Sequence, residues 1–367
     1  MSDNKLRSAI IIPALNPKGL LISYCKKLID AGFNRIILVD DGSDDEHKAV
    51  FESLRSFPEC VIIEHEINQG KGRGLKDAFN YFLKMSDVSE YDGVITADAD
   101  GQHTVTDVIR LAESLHEVSQ SDDEASKQVL ILGSRDFSME HVPFKSRYGN
   151  ITTRFVFRLL HGVKITDTQT GLRGIPTLVI PKFIDIFGER FEYETNMLIV
   201  AAHQGVSIRE ITIETVYEGK NEGSHFNPFK DSWAIYKLLL GTFFKFAISS
   251  VLSFLLDIGL FTLAVFLFKK YGFTETTAIV AGTVSARILS SIFNYLVNRN
   301  VVFKSNSKAS GLIKYYILVV LQMCASAGLV ALFVKILGFW ETPVKIVVDF
   351  VLFLLSYQIQ NRLIFKN

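Results

Sequence analysis

The sequence predicts an α/β protein with a mostly parallel central sheet and flanking helices, followed by a four-helix transmembrane domain. Two observations carry this. Up to about Tyr236, short apolar runs alternate with helical patterns, and most of the runs end in polar turns rich in Asp, Gly or Ser. From about Phe243 that rhythm gives way to four apolar stretches of about 20 residues or more, each long enough to cross a hydrocarbon core of roughly 30 Å. Phenylalanine is denser in this second part, with 15 of the 29 in the last 131 residues, where charge thins out. The expected division is therefore 1–236 for the α/β domain with its membrane-proximal segment, and 237–367 for the membrane domain.

The elements follow in order. Ala9–Ile12 reads as a short buried strand. Gly19–Ala31 is helical, with Leu20, Leu21, Tyr24, Leu28 and Ile29 on one stripe and Gly32 as the stop. Arg35–Val39 is a second strand, His47–Phe57 a helix, and Val61–Ile63 a third strand. Gly74–Met85 is a helix, Gly93–Ala97 a fourth strand and Val129–Leu132 another. The four spans are Phe244–Phe268, Thr276–Val297, Ile313–Ile336 and Pro343–Ile364. Lys230, Lys237 and Lys245 flank the first span, and Arg299, Lys304, Lys308 and Lys314 lie around the middle link. With Lys366 at the end, these place both termini and the α/β domain in the cytoplasm. The polar start, Met1–Arg7, and the short run before Pro13 offer no signal-peptide core, which agrees. The ends of spans two and four echo one another. Asn294–Arg299 precedes Phe303, and Tyr357–Arg362 precedes Phe365. Either two related helix pairs or plain interfacial anchoring by Tyr and Arg accounts for this.

Composition excludes some classes. Basic and acidic residues balance at 39 each, so bulk nucleic-acid binding is not expected. Cys25, Cys60 and Cys324 show no C-x-x-C spacing and form no ligand cluster. Cys25 and Cys60 read as small buried side chains, in keeping with a reducing compartment for the first half.

Chemistry-bearing motifs sit at strand ends, where open α/β sheets bind ligands. Asp40-Asp41-Gly42-Ser43 offers carboxylates to a base or ribose, or is a turn before a helix. In Asn68–Gly74, three alternating glycines free the backbone, and Lys71 and Arg73 add charge suited to a diphosphate; its spacing is not that of a P-loop. Asp98-Ala99-Asp100-Gly101-Gln102-His103 is the sharpest motif. Asp98 and Asp100 can converge on Mg²⁺ or Mn²⁺, Gln102 can add an oxygen, and His103 reads as a neighbour. Gly133–Asp136 follows another strand. With Arg135 and Arg147 it leads into the amphipathic stretch Tyr148–Leu160, suited to a membrane surface and a lipid phosphate. Asp167–Arg173 and Phe191–Glu194 supply acidic and hydrogen-bonding groups. Tyr217–Pro228 reads as a lid or a linker.

In this order, Pro13–Asn16, Asp40–Ser43, Asn68–Gly72, Asp98–Gln102 and Asp167–Arg173 resemble family 2 glycosyltransferases, in the branch of dolichyl-phosphate mannose synthase and the polyprenyl-phosphate glucosyltransferases. The resemblance covers about residues 8–236. The last four spans resemble the GtrA-like membrane domain, with Asp257, Asn294, Asn298-Arg299 and Asn361-Arg362 at its polar positions. The resemblance implies a GT-A type, Rossmann-like fold. It implies that Asp40 and Asp41 contact the nucleotide beside Pro13 and Asn16, and that Asp98, Asp100 and Gln102 hold a divalent metal and the donor diphosphate with Lys71. Arg135 and Arg147 would steer the acceptor phosphate, Asp167 and Arg173 would line the acceptor side, and His225 would lie in the membrane-proximal loop. The chain departs from the pattern at Asn16-Pro17, where many relatives have Asn-Glu.

The implied reaction is inverting transfer of one hexose from a nucleotide sugar, GDP-mannose or UDP-glucose, to a polyprenyl phosphate. The implied setting is a prokaryotic plasma membrane, in cell-envelope polysaccharide biosynthesis, with a homo-oligomer or downstream glycan-assembly enzymes as partners. The acceptor phosphate is already anionic at neutral pH, so a strong base is not required of Asp167. The alternatives are a processive polysaccharide synthase, transfer to a non-lipid acceptor, and a non-enzymatic protein that binds or transports lipid-linked sugars. No Gln-x-x-Arg-Trp motif stands in the chain.

Overall fold

The computed structural model describes residues 6–135, 144–214, 230–305, 307, 309–338 and 340–365. The chain divides into two compact units, Met1–Leu239 and Leu240–Asn367.

The first unit runs β1 (Ser8–Ala14), α1 (Leu20–Asp30), β2 (Ile36–Asp40), α2 (Asp45–Leu54), β3 (Cys60–Glu64), α3 (Lys71–Leu83), β4 (Gly93–Thr96), α4 (Val105–Ser119), β5 (Val129–Arg135), α5 (Phe144–His161), β6 (Arg173–Pro176), α6 (Pro181–Ile184), α7 (Glu192–His203) and β7 (Ser207–Ile213). The strands form one seven-stranded sheet in the order β3-β2-β1-β4-β6-β5-β7. Every neighbouring pair is parallel except the two made by β6, which runs antiparallel to β4 and to β5. The expected mostly parallel sheet with flanking helices is what forms.

The buried strands read as continuous apolar runs because both faces are covered. Ala9, Ile11, Ile37 and Val39 pack with Phe79 of α3, Phe157 of α5, Phe183 of α6 and Met197 of α7. Ile10, Ile12, Ile36 and Leu38 face the other way, onto Leu21 and Leu28 of α1, Phe51 of α2 and Leu111 and Leu115 of α4. The period-two alternation of each strand thus divides one run between two cores. Strands β6 and β7 are absent from the sequence reading. β6 is four residues with an arginine and a proline, and β7 is an edge strand that carries Arg209 and Glu210.

The second unit contains most of α8 (Lys230–Lys270) and all of α9 (Glu275–Val297), α10 (Ala309–Leu337) and α11 (Glu341–Ile359). All four helices are long and apolar enough to cross a bilayer, and the chain is an integral membrane protein. The echo in the sequence has a structural counterpart. α9 passes into a π turn at Asn298–Val302 and α11 into one at Gln360–Ile364. Each turn closes on a phenylalanine N–H, from Phe303 to the Asn298 carbonyl at 2.9 Å and from Phe365 to the Gln360 carbonyl at 2.8 Å. The two rings stack with centroids 5.2 Å apart, and Asn298 Nδ2 donates to Gln360 Oε1 at 3.0 Å. The turns set the register: Tyr295 matches Tyr357 and Asn298 matches Gln360, so the two Asn-Arg pairs are offset by one position.

Candidate active site

The end of β2 is a braced turn. Asp40 Oδ1 accepts the Ser43 N–H at 2.8 Å. Gly42 has φ +76°, and a Cβ there would fall 2.4 Å from the backbone of Ile67. Asn16, just past β1, is left-handed with φ 50°. Its N–H donates to Ser43 Oγ at 2.9 Å and its Oδ1 accepts the Asp44 N–H at 3.0 Å. Pro13 lies opposite Val39 in the β1–β2 register. Asp41 turns inward. Its Oδ1 accepts the Gln69 N–H at 2.8 Å and its Oδ2 the Gly70 N–H at 2.8 Å. The His65 ring sits between Asp41, at 2.8 Å, and Asp77, at 3.1 Å. Buried and bonded in this way, Asp41 anchors the glycine segment.

That segment is a helix start rather than an open loop, which corrects the helix expected from Gly74. α3 begins at Lys71, and its glycines serve close packing. A Cβ on Gly70 would meet the Glu189 carbonyl at 2.3 Å, and one on Gly72 would meet Tyr193 Cβ at 2.6 Å. Gly74 lies against Val39 and Pro13. Arg73 points to Asp77, with Nε 2.8 Å from its carboxylate, and so does not join Lys71.

Lys71 does reach the acidic motif. Its Nζ lies 2.6 Å from Asp98 Oδ1 and 3.0 Å from Glu194 Oε2, which is on the first turn of α7. Asp98 Oδ2 faces His103 Nε2 at 3.3 Å. Burial works against the charges of Lys71 and Asp98, yet their partners prevail. Asp98 and Glu194 hold the ammonium above the usual lysine range, and Lys71 with His103 holds the Asp98 carboxyl far below the usual carboxylate range. Asp100 goes the other way: burial first, and the charge of Asp98 second, push its carboxyl up. Its Oδ1 accepts the Gln102 N–H at 3.0 Å. The backbone of Gly171 rests on Asp98, so that an added Cβ would lie 2.4 Å from Oδ2. Through that contact the Asp167–Arg173 motif meets the Asp98 motif. Arg173, expected on the acceptor side, is held inside the fold. It is 1% exposed, and its guanidinium donates to the carbonyls of Thr170 at 3.0 Å and Glu194 at 2.6 Å. It joins β6 to α7, while its Nη2 is buried with no hydrogen-bond partner among the described residues. Burial lowers its guanidinium pKa, with Glu194 and Asp167 opposing.

Arg135 and Asp167 pair with each other. Arg135 Nε lies 2.6 Å from Oδ2, and Nη2 lies 3.0 Å from Oδ1. Glu210 of β7 supports this loop by accepting the Thr166 N–H at 2.7 Å, and buried Asn150 donates to the Thr166 carbonyl at 2.9 Å. Neither residue was marked in the sequence, since an edge-strand glutamate and a helical asparagine carry no motif. On α5, Phe157 is buried, whereas Ile151, Phe155 and Arg158 are exposed. This is the amphipathic face expected of Tyr148–Leu160. His225, Asp136, the Arg147 side chain and the Tyr217–Pro228 segment lie outside the described residues.

Among the described residues no group of three or more His, Cys, Asp or Glu side chains is set to hold a metal ion. The chemistry of Asp98 and Asp100 nonetheless fits a hard divalent cation. They are two carboxylates just past one strand end, and the Asp98 charge that, after burial, pushes the Asp100 carboxyl up is one that a cation would offset.

Residues 9–122 match the family model described as glycosyl transferase family 2, and residues 236–365 match that of the GtrA/DPMS transmembrane domain. The chain joins a family 2 glycosyltransferase domain to a GtrA-like transmembrane domain. This membrane glycosyltransferase is 27% identical over 249 residues to an uncharacterized protein of Methanocaldococcus jannaschii, covering 66% of this chain and 94% of that one. It is 26% identical over 249 residues to the UDP-N-acetylglucosamine–dolichyl-phosphate N-acetylglucosaminyltransferase of Methanococcus voltae, covering 63% and 94%. Among solved structures, it is similar to glucosyl-3-phosphoglycerate synthase from Mycobacterium tuberculosis in complex with Mn²⁺, UDP and glucosyl-3-phosphoglycerate. There the TM-score is 0.47 and the identity 13%, over 65% of this chain and 82% of that one.

Proposed function

We propose that this glycosyltransferase moves one sugar from a nucleotide sugar to a polyprenyl phosphate, with inversion at the anomeric carbon. The observation that carries the reading is the gathering of Lys71, Asp98, Asp100 and Glu194 in one cluster at the carboxyl ends of the strands, in a chain that also spans the membrane. The acceptor named for the Methanococcus voltae relative supports a lipid phosphate, and its donor adds UDP-N-acetylglucosamine to GDP-mannose and UDP-glucose.

In this reading Asp98 and Asp100 hold Mg²⁺ or Mn²⁺, with Gln102 beside them, and the ion would stabilise the departing nucleoside diphosphate as a Lewis acid. Pro13, Asn16 and Asp40 shape the nucleotide side, and Asp41 fixes the glycine segment beneath it. Arg135, oriented by Asp167, attracts the acceptor phosphate together with Arg147. That phosphate is its own nucleophile, so Asp167 orients and does not abstract a proton. The exposed Ile151, Phe155 and Arg158 suit a lipid surface. In this reading the catalytic unit and both termini lie in the cytoplasm, the side that the lysine and arginine bias favours.

The test is transfer in proteoliposomes from labelled GDP-mannose, UDP-glucose and UDP-N-acetylglucosamine to polyprenyl phosphate, with Mg²⁺ or Mn²⁺. The expected product is lipid-extractable and carries a single sugar. Long polymer, or label that remains with water-soluble acceptors, would replace this reading.

A further inference from the structure

Asp98 has both carboxylate oxygens engaged by side chains. Lys71 Nζ stands 2.6 Å from Oδ1, and His103 Nε2 stands 3.3 Å from Oδ2. The Gly171 backbone closes off another side, since an added Cβ would lie 2.4 Å and 2.6 Å from these same oxygens. The Asp98 side chain keeps 30% of its surface exposed, and a divalent ion that takes the position on Oδ1 held by Lys71 displaces the ammonium. Lys71 has somewhere to go. Its ammonium is shared with Glu194 Oε2 at 3.0 Å, and Glu194 Oε1 is buried with no hydrogen-bond partner among the described residues.

We propose that Lys71 is a stand-in cation. Without donor, its ammonium fills the place on Asp98 that the divalent ion takes on loading, and Glu194 is the carboxylate that retains the lysine when it leaves. The inference rests on the reading that Asp98 and Asp100 hold the metal. Its physical basis is crowding of like charge. A divalent ion of the Mg²⁺ type sits about 2.1 Å from its oxygen ligands, so it and an ammonium on the same carboxylate oxygen repel at contact distance. Lysine suits the exchange because its charge rides on a flexible four-carbon stem. The consequence is linkage. The metal binds weakly alone and tightly with the donor, whose diphosphate charge drives the displacement, and the metal strengthens donor binding by the same factor.

The experiment measures Mn²⁺ binding to the full chain in detergent micelles by electron paramagnetic resonance, with no nucleotide sugar present. Lys71→Met raises Mn²⁺ affinity by roughly tenfold or more, because one opposing charge beside Asp98 is gone. Lys71→Gln, which keeps a polar side chain between the two carboxylates, does the same if the methionine variant fails to fold. Lys71→Arg retains the charge and stays weak. Glu194→Gln deprives the ammonium of its second anion, confines it to Asp98, and lowers affinity severalfold below wild type. A merely structural role for these residues would weaken binding in every variant. Neutral Lys71 variants that bind Mn²⁺ no tighter than wild type overturn the stand-in role, while loss of binding in Asp98→Asn leaves the metal site standing. Mn²⁺ binding untouched by Asp98→Asn and Asp100→Asn overturns the site itself.

Discussion

Arg135 and Asp167 form a two-pronged ion pair, at 2.6 Å and 3.0 Å, with the Asp167 side chain wholly buried and Arg135 partly open. The geometry fixes the guanidinium plane and leaves Asp167 no free direction in which to take a proton. Asp167→Asn is therefore expected to raise the KM for polyprenyl phosphate about tenfold or more, with the pH profile of transfer unshifted. Asp167→Ala should in addition destabilise the fold by about 3 kcal/mol, because it strands a partly buried charge. A lost acidic limb in the pH profile of Asp167→Asn would instead make Asp167 a general base.

The glycines of α3 supply a second prediction. Gly72→Ala places a Cβ 2.6 Å from Tyr193 Cβ and 2.9 Å from the Arg190 carbonyl, whereas Gly74→Ala meets Val39 Cγ1 at 3.3 Å. Gly72→Ala should destabilise by about 1–3 kcal/mol, and Gly74→Ala by clearly less. Thermal unfolding in detergent separates this from a ligand-facing role, which would raise donor KM and leave the melting temperature unchanged.

Much of the fold was legible because it is written in local pattern. β1, β2, β4 and β5 are apolar runs ended by Asp, Asn, Gly or Ser, and the four spans announce themselves by length. The site was legible as a set of strand-end motifs, but its pairings were not. Nothing local tells Lys71 that its second partner is Glu194, from a helix far along the chain, or that Arg73 turns away to Asp77. Gly70, Gly72 and Gly74 have the same sequence signature whether they admit a phosphate or a neighbouring backbone. Arg173 shows the same limit: a charged residue in a motif reads as exposed until the strand that buries it is known. β6 and β7 escaped notice because one is too short and the other too charged for alternation to register.

Asp100 is predicted to cost stability in the absence of metal. Burial and the Asp98 charge raise its carboxyl pKa. Its contribution is thus most favourable below the ordinary aspartate value and is lost as pH rises through the raised value. Asp100→Asn should therefore melt higher than wild type in EDTA at neutral pH, with the gap closing toward acid, and should lose most transfer activity. Adding Mn²⁺ with nucleoside diphosphate should stabilise wild type and not the variant. An Asp100→Asn protein that is less stable at neutral pH and in acid alike would mean that Asp100 serves the turn through Gln102 instead.

The membrane unit places one charged pair in each helix pair. Asp257 of α8 accepts from Ser290 Oγ at 2.7 Å and faces Arg287 Nη2 at 3.3 Å. Asp349 of α11 accepts from Ser326 Oγ at 2.5 Å and from Lys345 Nζ at 2.8 Å. Arg287 precedes the π turn at Asn298 by as many residues as Asp349 precedes that at Gln360, so the two pairs occupy related places in the repeat. A lone carboxylate in hydrocarbon costs about 3 kcal/mol, and a paired one costs less. Arg287→Leu should then destabilise the unit by an amount of that order, since Asp257 keeps only a hydroxyl. Asp257→Leu should cost less, because Arg287 is well exposed and its long side chain can reach toward the interface. Removing both charges should restore most of the loss, which a double-mutant cycle read by unfolding in mixed micelles would detect as a coupling energy. If the double variant regains stability and transfer alike, the pair is a packing device. If it regains stability and the glycolipid no longer appears on the far side of proteoliposomes, the charges line the path of the sugar.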